Sequence, residues 1–195
     1  MRVAVIKYNA GNIRSVAFAL ERLGIDFTLT DLPEEIQRAD KVIFPGVGEA
    51  SSTMQYLKGH QLDKVIKGLK QPTLGICLGM QLMCSHSEEN DTACLGIFEE
   101  TVKIFKSDSL KVPHMGWNSL EKVRSWLDPS LKDDYVYFVH SYYVPLSTHT
   151  AAETTYGIPF SAAMKKNNFF AVQFHPEKSA DAGVKVLSSF LQQPE

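Results

Sequence analysis

A cysteine stands between two glycines in Gly75-Ile76-Cys77-Leu78-Gly79, straight after Thr73-Leu74 and ahead of the helix-forming Met80-Gln81-Leu82. Small residues at those two places let a strand turn sharply into a helix around a strained residue, which is how a nucleophile is presented at a strand end. The rest of the N-terminal half reads as the sheet and helices such a turn belongs to.

Arg2 to Ile6 is a β-branched run, and Ile13, Val16, Ala17 and Leu20 then recur at helical spacing up to Gly24, a residue suited to ending a helix. Phe27-Thr28-Leu29 and Lys41 to Phe44 read as the next strands, with a short acidic helix from Pro33 between them and Pro45-Gly46 closing the second. Helical patterning resumes after Ser51. Leu62, Val65, Ile66 and Leu69 carry an apolar face, Pro72 stops that helix, and Thr73 to Ile76 is the strand that delivers Cys77. This alternation predicts an α/β fold with a mostly parallel central sheet and helices on both faces. From about Leu95 the pattern changes to short alternating runs, Thr101 to Phe105, Tyr135 to Val139 and Ala151 to Tyr156, which predict antiparallel strands in the C-terminal half. Ser179 is placed to cap a last helix whose Val186, Leu187, Phe190 and Leu191 face inward.

At 195 residues the chain is most simply one domain, 1–195, large enough for a full core. A formal charge of −2, with lysines and arginines scattered, offers no footprint for a polyanion, so no nucleic acid is expected as a partner. Met1 to Ile6 is too short an apolar stretch for a signal peptide and no run approaches membrane-spanning length, so a cytoplasmic protein without membrane contact is expected. Three cysteines, none in Cys-x-x-Cys spacing and none near paired histidines, argue against a disulfide framework and against structural zinc. Cys84 and Cys94 fit ordinary packed thiols.

In an open α/β sheet the site lies beyond the carboxyl ends of the strands, and the segments ending at Pro45, Cys77 and His175 all reach that edge. The helix opening after Cys77 aims free N–H groups at the sulfur and so favours a thiolate, the attacking species. The run Phe169 to Phe174 delivers His175-Pro176-Glu177. Pro176 keeps the residue before it extended, and extended residues two apart face one side. Glu177 can therefore orient the His175 imidazole and stabilise its cation once it takes the thiol proton. Taken alone, the tripeptide also reads as a surface turn and Cys77 as a packed cysteine. Pro45-Gly46-Val47-Gly48 is suited to offering a backbone donor to an oxyanion, its glycines permitting close approach and a peptide flip, with the Leu78 N–H as second donor. A tight turn with no ligand is the plainer reading of that loop. Gln81, one helical turn past Cys77, either meets a polar substrate or faces solvent.

Gly75-Ile76-Cys77-Leu78-Gly79-Met80-Gln81 with His175-Pro176-Glu177 resembles the class I, triad-type glutamine amidotransferases, and the resemblance runs over nearly the whole chain. Within that class, Pro113-His114-Met115-Gly116-Trp117-Asn118, Tyr137-Phe138-Val139-His140-Ser141-Tyr142 and Phe174 to Lys178 resemble the family of glutaminase subunits of imidazole glycerol phosphate synthase, from histidine biosynthesis. The resemblance implies a single-domain, flavodoxin-like amidotransferase fold and hydrolysis of glutamine to glutamate and ammonia through a thioester on Cys77. His175 would do the acid–base work, oriented by Glu177, and Val47 and Leu78 would donate to the oxyanion. Gly46, Gly48, Gln81, Glu89, His140, Ser141 and Tyr142 match the family's glutamine pocket or its edge, where Glu89 suits an α-ammonium. The implied partner is a (β/α)₈-barrel cyclase, joined as a heterodimer, which receives the ammonia without its release and makes imidazole glycerol phosphate and a carboxamide ribotide. Asn12, Met115, Trp117, Tyr137 and Lys178 match positions toward that partner. No cofactor and no metal is implied.

The lack of an appended synthase domain fits a separate subunit. Core packing is the alternative for Trp117, and Lys7-Tyr8-Asn9-Ala10 departs from the Asp-Tyr-Gly that many members carry after the first strand. Two further readings stand beside the main one. One is a glutaminase for another synthase, or a peptidase-like cysteine hydrolase, on the same fold. The other is a catalytically silent docking protein, against which the intact Cys77, His175 and Glu177 argue.

Overall fold

In the computed structural model, which describes residues 1–8, 13–106 and 110–194, the four apolar runs of the N-terminal half are all strands. β1 (Val3–Ile6), β2 (Phe27–Thr30), β3 (Lys41–Phe44) and β4 (Thr73–Ile76) are joined through α1 (Ile13–Arg22), α2 (Pro33–Arg38), α3 (Ala50–Gly59) and α4 (Leu62–Gly68). α5 (Leu78–Met83) leaves β4 directly after Cys77. There follow the short β5 (His86–Ser87) and β6 (Thr92–Ala93), then β7 (Thr101–Ile104), β8 (His114–Ser119), β9 (Tyr135–His140) and β10 (Tyr142–Tyr143). The last elements are β11 (Thr150–Tyr156), β12 (Ile158–Lys166), β13 (Phe169–Val172) and α6 (Ala180–Leu191).

Seven strands form the central sheet in the order β11-β12-β13-β4-β3-β1-β2. The five from β13 to β2 are parallel, and β12 and β11 add to one edge antiparallel. Every residue of β1, β3, β4 and β13 is buried, as strands covered on both faces must be. Alternate residues feed opposite cores: Val5, Ile43, Leu74 and Phe170 pack with Leu20 and Phe190 on one face, while Ile6, Phe44 and Ala171 pack with Ile36, Leu57 and Met80 on the other. Each fully buried Leu or Phe contributes roughly 1.5–3 kcal/mol over leaving it in water.

The expected strands and helices form within a residue or two of their predicted ends, except that the helical stretch read from Ser51 to Pro72 is two helices, broken where Gln61 is left-handed (φ +57°) and ending at Gly68, before Pro72 is reached. α3 starts two residues early because the Glu49 carboxylate caps it, accepting the N–H groups of Ser51 and Ser52. Five strands were not predicted: the two-residue β5, β6 and β10, and the longer β8 and β12. β8 pairs antiparallel with β9 as a ribbon outside the central sheet, and β12 runs through Pro159 near the antiparallel edge.

Candidate active site

β3, β4 and β13 are parallel neighbours, so their carboxyl ends bring Pro45, Cys77 and the His175 turn to one edge of the sheet. The crossings there have no room for side chains. A Cβ on Gly46 would stand 2.4 Å from the Gly79 nitrogen, one on Gly75 2.9 Å from the Gly79 carbonyl carbon, and one on Gly79 2.1 Å from the Phe44 carbonyl oxygen. Those glycines serve close approach, and the bend itself falls on Cys77, at φ +53° and ψ −109°. A side chain held there costs about 1–3 kcal/mol. Backbone bonds on both sides pin it: the Cys77 N–H donates to the Val172 carbonyl at 2.8 Å, and the Cys77 carbonyl accepts from the Gln81 N–H at 3.1 Å.

His175 Nδ1 and Glu177 Oε1 are 2.7 Å apart, with both side chains only 1% exposed, and His175 also hydrogen-bonds to Cys77. Burial opposes charge on the imidazole, but the hydrogen bonds and charges of Cys77 and Glu177 together outweigh it and push His175 up to about 10. The site thus favours an imidazolium beside the sulfur. Ser179 was expected to cap α6 and its side chain does not do so. Its hydroxyl donates to the His175 carbonyl at 2.6 Å and accepts the Tyr137 N–H at 2.9 Å, clamping the triad turn to β9. On the other side α6 packs so closely that a Cβ on Gly183 would lie 1.8 Å from the Pro176 carbonyl oxygen.

A cavity of about 310 Å³ opens over the sulfur, walled by Val47, Gly48, Leu78, Gln81, Glu89 and His140, with Ser141, Tyr142 and His175 completing the rim. Gly46, expected to contact substrate, lies beneath this wall because its backbone is pressed against Leu78 and Gly79. The Leu78 N–H, expected to serve the oxyanion, is engaged in this conformation by the Gly46 carbonyl at 3.4 Å. Glu89 reaches the cavity while one of its oxygens accepts the Ala50 N–H at 2.8 Å; burial raises its pKa and that hydrogen bond opposes the rise. Tyr8, from the atypical segment, is buried and donates its hydroxyl to the Pro45 carbonyl at 2.6 Å, at the head of the Gly46–Gly48 loop.

Burial pulls His140, in the wall, down to about 3 and its neighbour His114 to about 4, so both are neutral. His140 donates through Nδ1 to the Tyr142 carbonyl at 2.7 Å, and its Nε2 is 3.1 Å from His114 Nδ1. Cys84 is buried and Cys94 half-buried, and burial raises both thiols, Cys94 to about 11, the opposite of what a nucleophile needs. A residue that motif reading missed sits directly below the sulfur. Gln173, fully buried, directs Nε2 at Cys77 Sγ at 3.7 Å and accepts at Oε1 from Gln81 Nε2 at 3.0 Å. An uncharged polar residue inside the otherwise apolar run Phe169 to Phe174 is the signal that could have found it.

Of the residues matched to a partner face, Met115 and Trp117 are 63% and 53% exposed on β8. Tyr137 stands edge-on to Trp117 with ring centroids 6.0 Å apart, and the Lys178 ammonium lies 5.8 Å from the Tyr137 ring. Trp117 is therefore a surface residue, not core. Asn12 and the Asn9-Ala10 part of the atypical segment lie outside the described residues. Among the described residues, no helix is long and apolar enough to cross a membrane.

The class I glutamine amidotransferase family matches residues 4–193 of this chain. A protein of Bacteroides fragilis strain YCH46 described as imidazole glycerol phosphate synthase subunit HisH is 58% identical over 195 residues, spanning 98% of this chain and 100% of its own. A protein of the same description from Idiomarina loihiensis is 43% identical over 98% of each chain. Among solved structures, a crystal structure of a glutamine amidotransferase superposes with a TM-score of 0.76 at 20% identity over 97% of both chains. PurLQS from Thermotoga maritima superposes with a TM-score of 0.72 at 15% identity over 97% of both, a likeness of fold.

Proposed function

Because this chain belongs to the class I glutamine amidotransferases, we propose that it is the glutaminase subunit of an imidazole glycerol phosphate synthase, acting as one domain over 1–195. The observation that carries the reading is the buried line Cys77–His175–Glu177 on the floor of a cavity of about 310 Å³. The Cys77 thiolate attacks the side-chain amide carbon of glutamine, and the imidazolium of His175 gives its proton to the departing ammonia, leaving a thioester. His175, now neutral, takes a proton from water as the water attacks the thioester, and glutamate leaves as the sulfur is released. Glu177 holds one tautomer and balances the imidazolium. Gln81, Glu89, His140, Ser141 and Tyr142 surround the substrate, with Gly46 acting through the loop it anchors.

Rotation of the Gly46–Val47 peptide would do two things in one motion. It would withdraw the Gly46 carbonyl from the Leu78 N–H and turn the Val47 N–H toward the developing oxyanion, completing the pair of donors. A partner that binds the rotated state more tightly than the resting one would thereby switch on hydrolysis. The partner is a (β/α)₈-barrel cyclase that docks over Met115, Trp117, Tyr137 and Lys178 and takes the ammonia directly. A cytoplasmic setting keeps the Cys77 thiol reduced.

Glutamate release by the purified chain should be weak alone and rise steeply when the cyclase and its phosphoribulosyl ligand are added. Equal turnover in both conditions would reject the coupling. In the assembled complex, Cys77→Ala should abolish synthesis from glutamine and leave synthesis from ammonium salts intact; retained glutamine use would overturn the mechanism.

A further inference from the structure

The Tyr142 carbonyl can only accept hydrogen bonds, and it accepts from Gln81 Nε2 at 2.9 Å. That single fact orients two buried amides. Gln81 must turn its nitrogen toward β10, so its second N–H meets Gln173 Oε1 at 3.0 Å. Gln173 must then face the other way and present its own nitrogen to Cys77 Sγ, at 3.7 Å. Both donors of Gln81 are thus committed to protein, and what it offers the cavity is its acceptor, Oε1. A Gln81 amide turned the other way would present donors to the same spot and repel a substrate ammonium or N–H.

We propose that Gln173 is a positioning residue with two tasks: together with the Tyr142 carbonyl it holds both N–H groups of Gln81, so that the Gln81 acceptor faces the substrate, and it holds the Cys77 sulfur with an N–H donor. Gln173 does not touch substrate, since it is fully buried behind Cys77 and absent from the cavity wall. Its backbone is tied down by a bond from its N–H to the Ala162 carbonyl at 2.8 Å, so the amide hangs from a rigid point of the sheet. An apolar residue would fill the same space more cheaply directly after a strand that reads Phe169-Phe170-Ala171-Val172. The inference rests on the glutaminase reading for its substrate readout, but not for its sulfur readout.

The test compares Gln173→Met, Gln173→Glu and Gln81→Met, each in complex with the cyclase. Gln173→Met keeps the volume and removes both tasks. It should raise KM for glutamine about tenfold, the scale of a lost hydrogen bond to a charged group, and move the half-maximal pH of Cys77 alkylation by iodoacetamide up by about one unit. Gln173→Glu retains an acceptor for Gln81 and should restore KM to within about threefold of the parent. Gln81→Met should raise KM while leaving the alkylation profile in place. Folded Gln173→Met with parental KM and a parental alkylation profile would overturn the proposal, as would a change confined to melting temperature. If Gln173→Met does not fold, a parental alkylation profile in Gln173→Glu together with a parental KM in Gln81→Met would overturn it equally. A chain that hydrolyses no glutamine yet shows the alkylation shift would sink the glutaminase reading and leave the sulfur task standing.

Discussion

Cys77 occupies a backbone conformation that disfavours any side chain, and the bonds from Val172 and Gln81 keep it there. Its chemistry then depends on one neighbouring carboxylate. Replacing Glu177 by Gln keeps the volume but removes the negative charge that, with Cys77, raises His175 above the ordinary imidazole range against the pull of burial. Steady-state glutamine hydrolysis by the complex should lose about 10²–10⁴-fold in kcat with little change in KM, the scale of general acid–base catalysis; an unchanged kcat would remove Glu177 from the mechanism. At this scale Cys77, His175 and Glu177 were readable in the chain because each sits in a short motif whose spacing already implies its direction. Gln173, Ser179 and Gly183 were not. Their roles depend on what lies across the fold from them: a sulfur 96 positions away, the N–H of Tyr137, and the Pro176 carbonyl.

Among elements, the crossing of β3, β4 and α5 carries the site, and its geometry is set by the absence of three side chains. Gly79→Ala would drive a methyl to 2.1 Å from a backbone oxygen of Phe44, an atom that cannot move without displacing the sheet. The expected cost exceeds the ~1–3 kcal/mol of ordinary overpacking, seen as a large drop in urea midpoint or loss of folded protein. A Gly79→Ala variant with parental stability would show that α5 can shift freely. The parallel strands were legible because burial on both faces makes each an unbroken apolar run. β8 was hidden for the opposite reason. Its inward residues include Gly116 and Asn118, its outward ones Met115 and Trp117, so hydrophobicity points away from the core and the period-2 pattern is inverted. β12 was hidden by Pro159, which its edge-proximal position tolerates.

Across the whole molecule, three buried histidines make stability depend on pH in two directions. His114 and His140 are held at about 4 and about 3, below the ordinary 6.5, so the unfolded chain takes up their protons first as the pH falls. Their contribution is complete above 6.5 and is lost as the pH drops toward 4 and 3. His175 is raised to about 10, so its contribution is complete below 6.5 and disappears as the pH climbs through 10. Thermal melts should peak near neutrality, and His140→Gln should flatten the acid side; an acid limb unchanged in that variant would show that His140 is protonated in the folded state. The chain by itself determined the α/β layering, the strand-to-helix elbow at Cys77 and the His175–Glu177 pair, because periodicity, turn chemistry and short spacing act over a few residues. Only the tertiary structure decided that Gly46 lies under the cavity wall, that the Leu78 N–H is occupied by the Gly46 carbonyl, and that Gln173 stands beneath the sulfur. Those facts depend on which strand ends are packed side by side, and close packing is a property of residues far apart in sequence.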